Sequence, residues 1–141
     1  MRIHLIALGK RPPLWVQQGY ETFAKRLPPH CALKLAEIRD GKRMAAAIPS
    51  NSLVIALEVG GEPWSTEMLA RNLEAWLAGG RDVALLVGGP EGLPEDARAL
   101  ANRAWSLSPL TFPHALVRIV VAEQIYRAWS LLQRHPYHRA G

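Results

Sequence analysis

The chain lacks the residue patterns of several protein classes. It has one cysteine, Cys31, among 141 residues, which excludes an internal disulfide framework and a Cys-rich zinc module. No uncharged apolar run approaches the roughly 18 residues that a membrane-spanning helix needs. The opening MRIHLIALGKR has too short an apolar stretch for the core of a signal peptide. We therefore expect a soluble protein of the cytoplasm that has no contact with a membrane.

Several catalytic and nucleotide-binding motifs are also missing. The sequence contains no G-x-G-x-x-G dinucleotide fingerprint, no P-loop lysine, no G-x-S-x-G nucleophile elbow and no H-E-x-x-H zinc motif. His135 and His138 are three positions apart, but no carboxylate or second cysteine lies near them to complete a metal site. We therefore expect no metal, and no hydrolase of these kinds.

The composition is that of a compact domain. Hydrophobic residues make up 49% of the chain and charged residues 21%, which argues against disorder. A length of 141 residues is typical of one domain, so we expect residues 1–141 to fold as a single unit.

Charge is distributed unevenly along the chain. The net charge is +5, with a balance of +6 over residues 1–43, −6 over 44–96 and +5 over 97–141. Arginine provides 13 of the 17 cations, and this excess of arginine over lysine slightly favours the recognition of phosphates or bases. Two basic ends suit a polyanion such as RNA, although a basic, solvated surface that keeps the protein soluble explains them equally well.

Segments with strand-like and helix-like patterns alternate. Compact or alternating apolar runs predict strands over 2–8, 31–38, 53–59, 82–87 and 104–108. Helical spacing predicts helices over 14–27, 65–80 and 115–134, with a further helix that starts at Pro94. Residues 39–51 are loop-like, with one possible helical turn at MAAA. This alternation predicts an α/β fold with a mostly parallel sheet flanked by helices.

The final helix has apolar residues on more than one side. One face contains Val117, Val121, Ile125, Ala128 and Leu132, while Ile119, Val120, Tyr126 and Leu131 lie elsewhere around the axis. A helix of this kind is buried on more than one side. We favour a homodimer, the commonest assembly. The alternative is that the tail or a neighbouring loop covers these residues.

Two loops are candidates for a ligand site. LLVGGPEGLP (85–94) combines the end of a buried strand, two glycines and a helix start, at the edge where parallel α/β sheets bind ligands. SPLTFPH (108–114) follows the next strand and would form a second wall, with Leu110 and Phe112 on either side of a flat ring. The alternatives are a plain strand-to-helix turn and two side chains that plug the core.

The tail HPYHR (135–139) offers histidine, tyrosine and arginine side chains. Such residues stack on and hydrogen-bond to unpaired RNA bases. The alternative is an ordinary frayed terminus.

Taken in order, these motifs resemble one family. The chain resembles the bacterial ribosomal RNA large subunit methyltransferase H family of the SPOUT superfamily. Five segments carry the resemblance: MRIHLIALGKRPPLWVQQGYETFAKRLP, LEVGGEPWST, DVALLVGGPEGLP, AWSLSPLTFPHALVRIVVAEQIYRAWS and HPYHR. The resemblance implies a SPOUT-type α/β fold with a C-terminal trefoil knot, a homodimer and S-adenosylmethionine as methyl donor. It also implies methylation of N3 of a pseudouridine in 23S rRNA. Because a domain of 141 residues is small to recognise one nucleotide within a large RNA, we expect the assembled ribosome to be the substrate.

The same resemblance implies the roles of individual residues. The donor site would consist of Leu57, Gly89, Leu107, Ser108, Pro109, Leu110, Thr111 and Phe112. Arg127 would stabilise negative charge on the base, and Tyr137, His138 and Arg139 would orient the base or assist proton transfer as the tail closes over it. His114 is a further candidate, although it could equally be a loop-packing residue.

The chain departs from the family between residues 43 and 53. Members of the family usually have a further helix and loop there, whereas this chain has only MAAAIPSNS. We expect the chemistry to survive and the surface that meets the ribosome to change. The main alternative function is a non-catalytic, dimeric RNA-binding or ribosome-associated protein. A flavodoxin-type nucleotide-binding module is poorly supported, because no phosphate loop follows the first strand.

Overall fold

A computed structural model describes residues 1–139, with residues 138 and 139 described by their backbone alone. The strands are β1 (Arg2–Leu8), β2 (Ala32–Ile38), β3 (Leu53–Pro63), β4 (Val83–Val87) and β5 (Arg103–Ser106). The α-helices are α1 (Leu14–Ala24), α2 (Met44–Ala47), α3 (Thr66–Gly79), α4 (Glu95–Ala99) and α5 (His114–Leu132). Short 3₁₀ turns occupy Pro29–Cys31, Gly41–Arg43 and Pro136–Arg139. None of the helices within this described part of the chain is both long and apolar enough to cross a membrane.

The five strands form one sheet in the order β2-β1-β4-β3-β5. Every neighbouring pair is parallel; for example, Leu5 of β1 lies opposite Leu35 of β2 and Leu85 of β4. This confirms the predicted α/β fold with a parallel sheet. Because all the strands run the same way, the loops that follow them emerge at one edge of the sheet.

Each face of the sheet buries its own layer of helices. Alternate strand residues point to opposite faces, so Leu5 and Leu85 contact the layer of α1, α3 and α5, while Ile6 and Leu86 contact the layer of α2 and α4. All four side chains are at most 1% exposed. A parallel sheet covered on both faces explains why these strands are continuous apolar runs.

Some element boundaries differ from the sequence prediction. The first helix was predicted to reach residue 27 but ends at Ala24, because Leu27 precedes a proline and is pushed out of helical geometry. The last strand ends at Ser106 rather than 108, which frees residues 107 and 108 for the loop that follows. The final helix ends at Leu132 rather than 134, and Arg134 adopts a left-handed φ of 57°.

The third strand is longer than its sequence predicts. The sequence predicts an end at residue 59, just before Gly60-Gly61, yet β3 bulges after Leu57 and pairs with β5 again at Glu62 and Pro63. A Cβ on Gly61 would lie 2.7 Å from the carbonyl carbon of Ala104. Glycine therefore lets the bulged strand return to β5.

The final helix is partly covered within the chain. Gly19 of α1 approaches so closely that an added Cβ would lie 2.8 Å from Ile119, and the rings of Tyr126 and Tyr137 meet edge to face at 4.8 Å. On α1, Leu14 and Trp15 remain 67% and 60% exposed. The tail thus covers part of the second apolar side.

Arg118 of α5 is buried and forms an ion pair with Glu37 of β2, which is 38% exposed. The Arg118 side chain is 2% exposed, and its Nη1 donates to Oε2 of Glu37 at 3.0 Å. Among the described residues its Nε has no hydrogen-bond partner. Removing a guanidinium from water is costly, so this pair contributes little net stability.

Two substitutions should separate the charge from the packing of this pair. Arg118→Met should change the free energy of unfolding by less than about 1 kcal/mol, because it keeps the apolar bulk and removes the buried charge. Glu37→Ala should lower it by about 2 kcal/mol, because the guanidinium then stays buried without a partner. Urea denaturation measures both values. A larger loss for Arg118→Met than for Glu37→Ala would contradict this account.

Asp82 joins two strands at the amino-terminal edge of the sheet. Its Oδ2 lies 2.9 Å from Nε2 of His4, and its Oδ1 accepts a hydrogen bond from the backbone N–H of Arg2 at 2.9 Å. The hydrogen bond with His4, followed by the one from Arg2, holds the pKa of Asp82 below its ordinary value. The ionised carboxylate therefore stabilises the folded chain.

This lowered pKa predicts the response of stability to acid. The contribution of Asp82 is fully present above an ordinary carboxyl pKa of about 3.9 and is lost as the pH falls through the lower, folded value. Asp82→Asn should cost roughly 1 kcal/mol near neutral pH and flatten the loss of stability below about pH 4. Urea denaturation at a series of pH values measures this. Glu74→Gln, which changes an exposed carboxylate on α3, should leave the acid slope intact; an equal effect of both changes would refute the assignment.

Candidate functional site

A cavity of about 640 Å³ lies at the carboxyl ends of β3, β4 and β5. This size is within the roughly 300–1,000 Å³ of small-molecule sites. We call it the donor cavity, after the prediction that residues in its walls bind the methyl donor. Its walls come from the bulge of β3, the turn after β4 and the loop after β5, and its lining includes Leu57, Glu58, Gly60, Gly88, Gly89, Trp105, Leu107, Ser108, Leu110, Thr111, Phe112, His114 and Val117.

The turn after β4 forms one wall and depends on glycine. The N–H of Gly92 donates to the carbonyl oxygen of Gly89 at 2.9 Å, and Gly92 has a left-handed φ of 83°. A Cβ on Gly88 would lie 2.5 Å from the carbonyl carbon of Gly92. Side chains are thus excluded from the inside of the turn, and its backbone is left close to the cavity.

The loop after β5 forms the opposite wall. The hydroxyl of Ser106 donates to the carbonyl oxygen of Ser108 at 3.1 Å, and the N–H of Leu110 donates to Oγ of Ser108 at 3.0 Å. The Ser108 hydroxyl thereby holds the loop in shape. Leu110 itself is 69% exposed, so a large apolar side chain stands free at the mouth of the cavity.

Seven of the eight predicted donor residues line this one cavity. Pro109 is the exception: it is exposed on the loop between two lining residues and does not line the cavity. The two loops predicted to form opposite walls of one crevice do so, because β4 and β5 lie on either side of β3 and the loops that follow them emerge at the same edge of the sheet.

Sequence reasoning missed two charged groups of the cavity. Glu58 directly follows Leu57 on β3, and its Oε1 lies 2.6 Å from Nη2 of Arg98 on α4, an ion pair that is not aligned as a hydrogen bond. Both residues line the cavity. Their positions far apart in sequence give no sign of this contact.

His114 also lines the donor cavity. A Cβ on Gly9 would lie 3.6 Å from its Nε2, so the imidazole covers the end of β1. His114 thus packs against the end of β1 and also lines the cavity, as its two predicted roles require.

The predicted catalytic residues Arg127 and Tyr137 meet at a shared carboxylate. Oε2 of Glu123 accepts hydrogen bonds from Nη2 of Arg127 at 2.6 Å and from the phenol of Tyr137 at 2.7 Å. The hydrogen bond with Glu123 raises the pKa of Arg127. Burial first, and then the bond to Glu123, raises the pKa of Tyr137. Arg127 is therefore a cation and Tyr137 a neutral phenol at neutral pH.

This cluster does not line the donor cavity of its own chain. Arg127 follows Val117, which does line the cavity, by ten residues of α5, a separation of about 15 Å at 1.5 Å per residue. The predicted catalytic side chains of His138 and Arg139 lie outside the described residues. The structure thus brings the predicted donor residues together and keeps Arg127 and Tyr137 apart from them.

The donor cavity fits a flat heterocycle with an attached polar chain. Its walls combine close backbone at Gly88 and Gly89 with the apolar side chains of Leu57, Leu107 and Phe112. Backbone groups can hydrogen-bond a ring edge while apolar groups cover its faces. Among the side chains that the structure describes, those of residues 1–137, no three from His, Cys, Asp or Glu are grouped as metal ligands would be.

The chain matches known proteins over nearly its whole length. The family described as "Predicted SPOUT methyltransferase" matches residues 1–138. The protein named ribosomal RNA large subunit methyltransferase H of Thioalkalivibrio sulfidiphilus is 54% identical over 155 aligned positions, with 99% of each chain covered. The protein of the same name from Methylococcus capsulatus is 51% identical and covers 99% of this chain and 100% of its own. The alignments are longer than 141 residues, so these relatives contain residues with no counterpart here.

Solved structures support the fold alone, because their sequence identities are low. A probable methylase family protein from Haemophilus influenzae aligns with a TM-score of 0.57 at 11% identity, covering 94% of this chain and 66% of its own. A putative methyltransferase from Legionella pneumophila, solved with S-adenosylmethionine, aligns with a TM-score of 0.51 at 12% identity, covering 91% and 66%.

Proposed function

This chain belongs to the SPOUT methyltransferase family, and we propose that it methylates N3 of a pseudouridine in 23S rRNA. It is an S-adenosylmethionine-dependent rRNA methyltransferase, like the relatives that share half its sequence. The substrate is the assembled large subunit or ribosome, whose shape adds to the specificity of a 141-residue enzyme. In this proposal residues 1–141 act as one domain in the cytoplasm, and the C-terminal part of the chain forms a trefoil knot.

One observation carries this proposal. The cavity at the carboxyl ends of β3, β4 and β5 is lined by Leu57, by Gly89 and by five residues of the loop 107–112, which are seven of the eight positions expected to bind the donor. These positions come from three separate parts of the chain. Their meeting in one cavity of suitable size supports a donor site there.

The residues of the cavity have distinct roles toward the donor. The backbone of Gly89 and of the loop after β5 holds the adenine, and Leu57, Leu107 and Phe112 flank its faces. Glu58 and Arg98 carry opposite charges that suit the ammonium and carboxylate of an amino acid. The bound donor supplies a methyl group that is already activated as a sulfonium, so the protein has mainly to position it.

The remaining catalytic tasks concern the base. N3 of a uracil-like ring must lose its proton before or as it accepts a methyl group, which leaves negative charge on the ring. Arg127, which is cationic, stabilises that charge. Tyr137, His138 and Arg139 orient the base or assist the proton transfer, with His114 as a further candidate beside the cavity.

A second copy of the chain brings these groups to the cavity. Arg127 lies about 15 Å along α5 from Val117 at the donor cavity of its own chain, and Tyr137 shares the Glu123 carboxylate with it. Exposed Leu14 and Trp15 on the adjoining α1 offer an apolar surface for a partner. We infer a homodimer in which the tail of one protomer serves the donor cavity of the other.

Methyl transfer to ribosomes that lack the modification tests the function. The purified protein is incubated with methyl-labelled S-adenosylmethionine and these ribosomes, and mass spectrometry locates the labelled nucleotide. We expect label on N3 of one pseudouridine in 23S rRNA. Free 23S rRNA serves as the comparison that identifies the assembly state of the substrate.

Two other results would change the conclusion. Measurable binding of the donor without transfer to either RNA would mean that the chain has a different substrate. No binding of the donor would support the alternative of a non-catalytic RNA-binding protein.

A further inference from the structure

A second cavity lies beside the donor cavity at the same edge of the sheet. Its volume is about 620 Å³, and its walls are formed by Leu8 and Gly9 after β1, by residues 39–42 after β2 and by residues 89–94 after β4. Gly89, Pro90, Gly92 and Leu93 line both cavities. A single turn of backbone therefore separates two adjacent cavities.

The strand order places this second cavity where parallel sheets usually bind ligands. β1 and β4 are neighbours in the sheet. From β1 the chain continues to β2 on one side, whereas from β4 it passes over β3 to β5 on the other side. The connecting helices α1 and α4 cover opposite faces. Crevices at such a reversal are favoured ligand sites. The donor cavity lies at β3, β4 and β5, so the reversal itself belongs to the second cavity.

Two cations line the second cavity. Arg39 and Lys42 line it and are exposed, and among the described residues neither side chain forms an ion pair. Asp40 also lines the cavity, and its Oδ1 accepts a hydrogen bond from the backbone N–H of Lys42 at 3.0 Å, which leaves its negative charge in place. The neighbouring sequence adds three further exposed cations: Lys10, Arg11 and Arg43. Within the lining Asp40 and Glu91 balance the charges of Arg39 and Lys42, so the excess of positive charge around the cavity comes from these three neighbours.

We propose that the second cavity binds the RNA backbone phosphate next to the nucleotide whose base is methylated. This inference rests on the proposed function, since it identifies how the same RNA strand is held. A nucleotide with its base at the donor cavity carries phosphates immediately beside it, and the shared Gly89–Gly92 turn lies between the two positions. Arg39 supplies a planar guanidinium for two phosphate oxygens and Lys42 a point charge.

The double variant Arg39→Ala/Lys42→Ala tests this site. We expect unmodified ribosomes to bind it about tenfold more weakly in co-sedimentation. The plot of log affinity against log salt concentration should become shallower by about 1–2, because fewer counterions are released. The affinity for S-adenosylmethionine in calorimetry should not change, because neither residue lines the donor cavity.

A matched control removes two cations from elsewhere. Lys34 on β2 and Arg71 on α3 are exposed and line neither cavity, so Lys34→Ala/Arg71→Ala should keep the wild-type salt dependence. The charge-conserving variant Arg39→Lys/Lys42→Arg should keep most of the ribosome affinity.

The proposal is overturned if both alanine pairs weaken ribosome binding equally, because net charge alone would then explain the loss. It is also overturned if Arg39→Ala/Lys42→Ala weakens donor binding as much as ribosome binding. If the wild-type protein transfers no methyl group, the proposed function is wrong. The comparison of ribosome affinities still tests whether the second cavity binds the RNA backbone.

Discussion

Gly88→Ala is expected to reduce kcat/KM for methyl transfer by about a hundredfold. The added Cβ would lie 2.5 Å from the carbonyl carbon of Gly92 and 2.7 Å from the backbone nitrogen of Leu93. These are backbone atoms, so they cannot rotate away and the whole turn must shift. A displacement of about 1 Å beside reacting groups costs on the order of 10²-fold. Calorimetry with S-adenosylmethionine and steady-state kinetics measure the loss.

Two further glycine variants make this result specific. Gly79→Ala, at the end of α3, meets no heavy atom within 4 Å and should leave donor binding unchanged. Gly92→Ala also meets nothing, but its φ of 83° imposes about 1–2 kcal/mol of backbone strain, so its loss should be intermediate. Wild-type donor affinity in Gly88→Ala would mean that the donor does not contact this turn.

A mixture of the Arg127→Ala and Gly88→Ala proteins should recover about a quarter of wild-type activity, although each alone is nearly inactive. In a mixed dimer, the intact cavity of the Arg127→Ala chain meets the intact Arg127 of its partner. Random pairing makes about half of the dimers mixed, and each has one working site of two. Co-expression with two affinity tags and purification of the mixed species permits a direct measurement.

The control for this experiment combines two changes in the same cluster. Arg127→Ala mixed with Tyr137→Phe should recover nothing, because Arg127 and Tyr137 share the Glu123 carboxylate and both sites of the mixed dimer are then altered. If the Arg127→Ala and Gly88→Ala mixture also stays inactive while size exclusion confirms dimers, Arg127 does not act across the interface.

The sequence predicted the architecture well because a parallel sheet leaves a strong local signal. Strands buried on both faces must be continuous apolar runs, as in β4, where all five residues are buried. The glycine turn after β4 and the loop 107–112 were also predictable as walls of one crevice, since the loops that follow the strands of a parallel sheet emerge at one edge. Periodicity did not predict the order of strands or the position of the reversal beside β1.

Other features depended on contacts between distant residues. Gly60-Gly61 looked like the end of β3, but the close approach of Gly61 to the backbone of β5 turned it into a bulge. Glu58 and Arg98 are 40 positions apart, so their ion pair had no sequence signal. The contact between Glu123 and Arg127 could have been predicted from their i, i+4 spacing on a helix.

The sequence by itself determined the fold class, the membership of a methyltransferase family and the segments that line the donor cavity. These follow from local apolar patterning and from motif order, which are properties of the chain read in one dimension. Only the tertiary structure decided that Arg127 and Tyr137 lie away from the donor cavity of their own chain, and that a second cavity with Arg39 and Lys42 in its lining adjoins it. Both depend on how far apart α5, β1 and β2 place their side chains in space, and that distance is fixed by packing between elements that are remote in sequence.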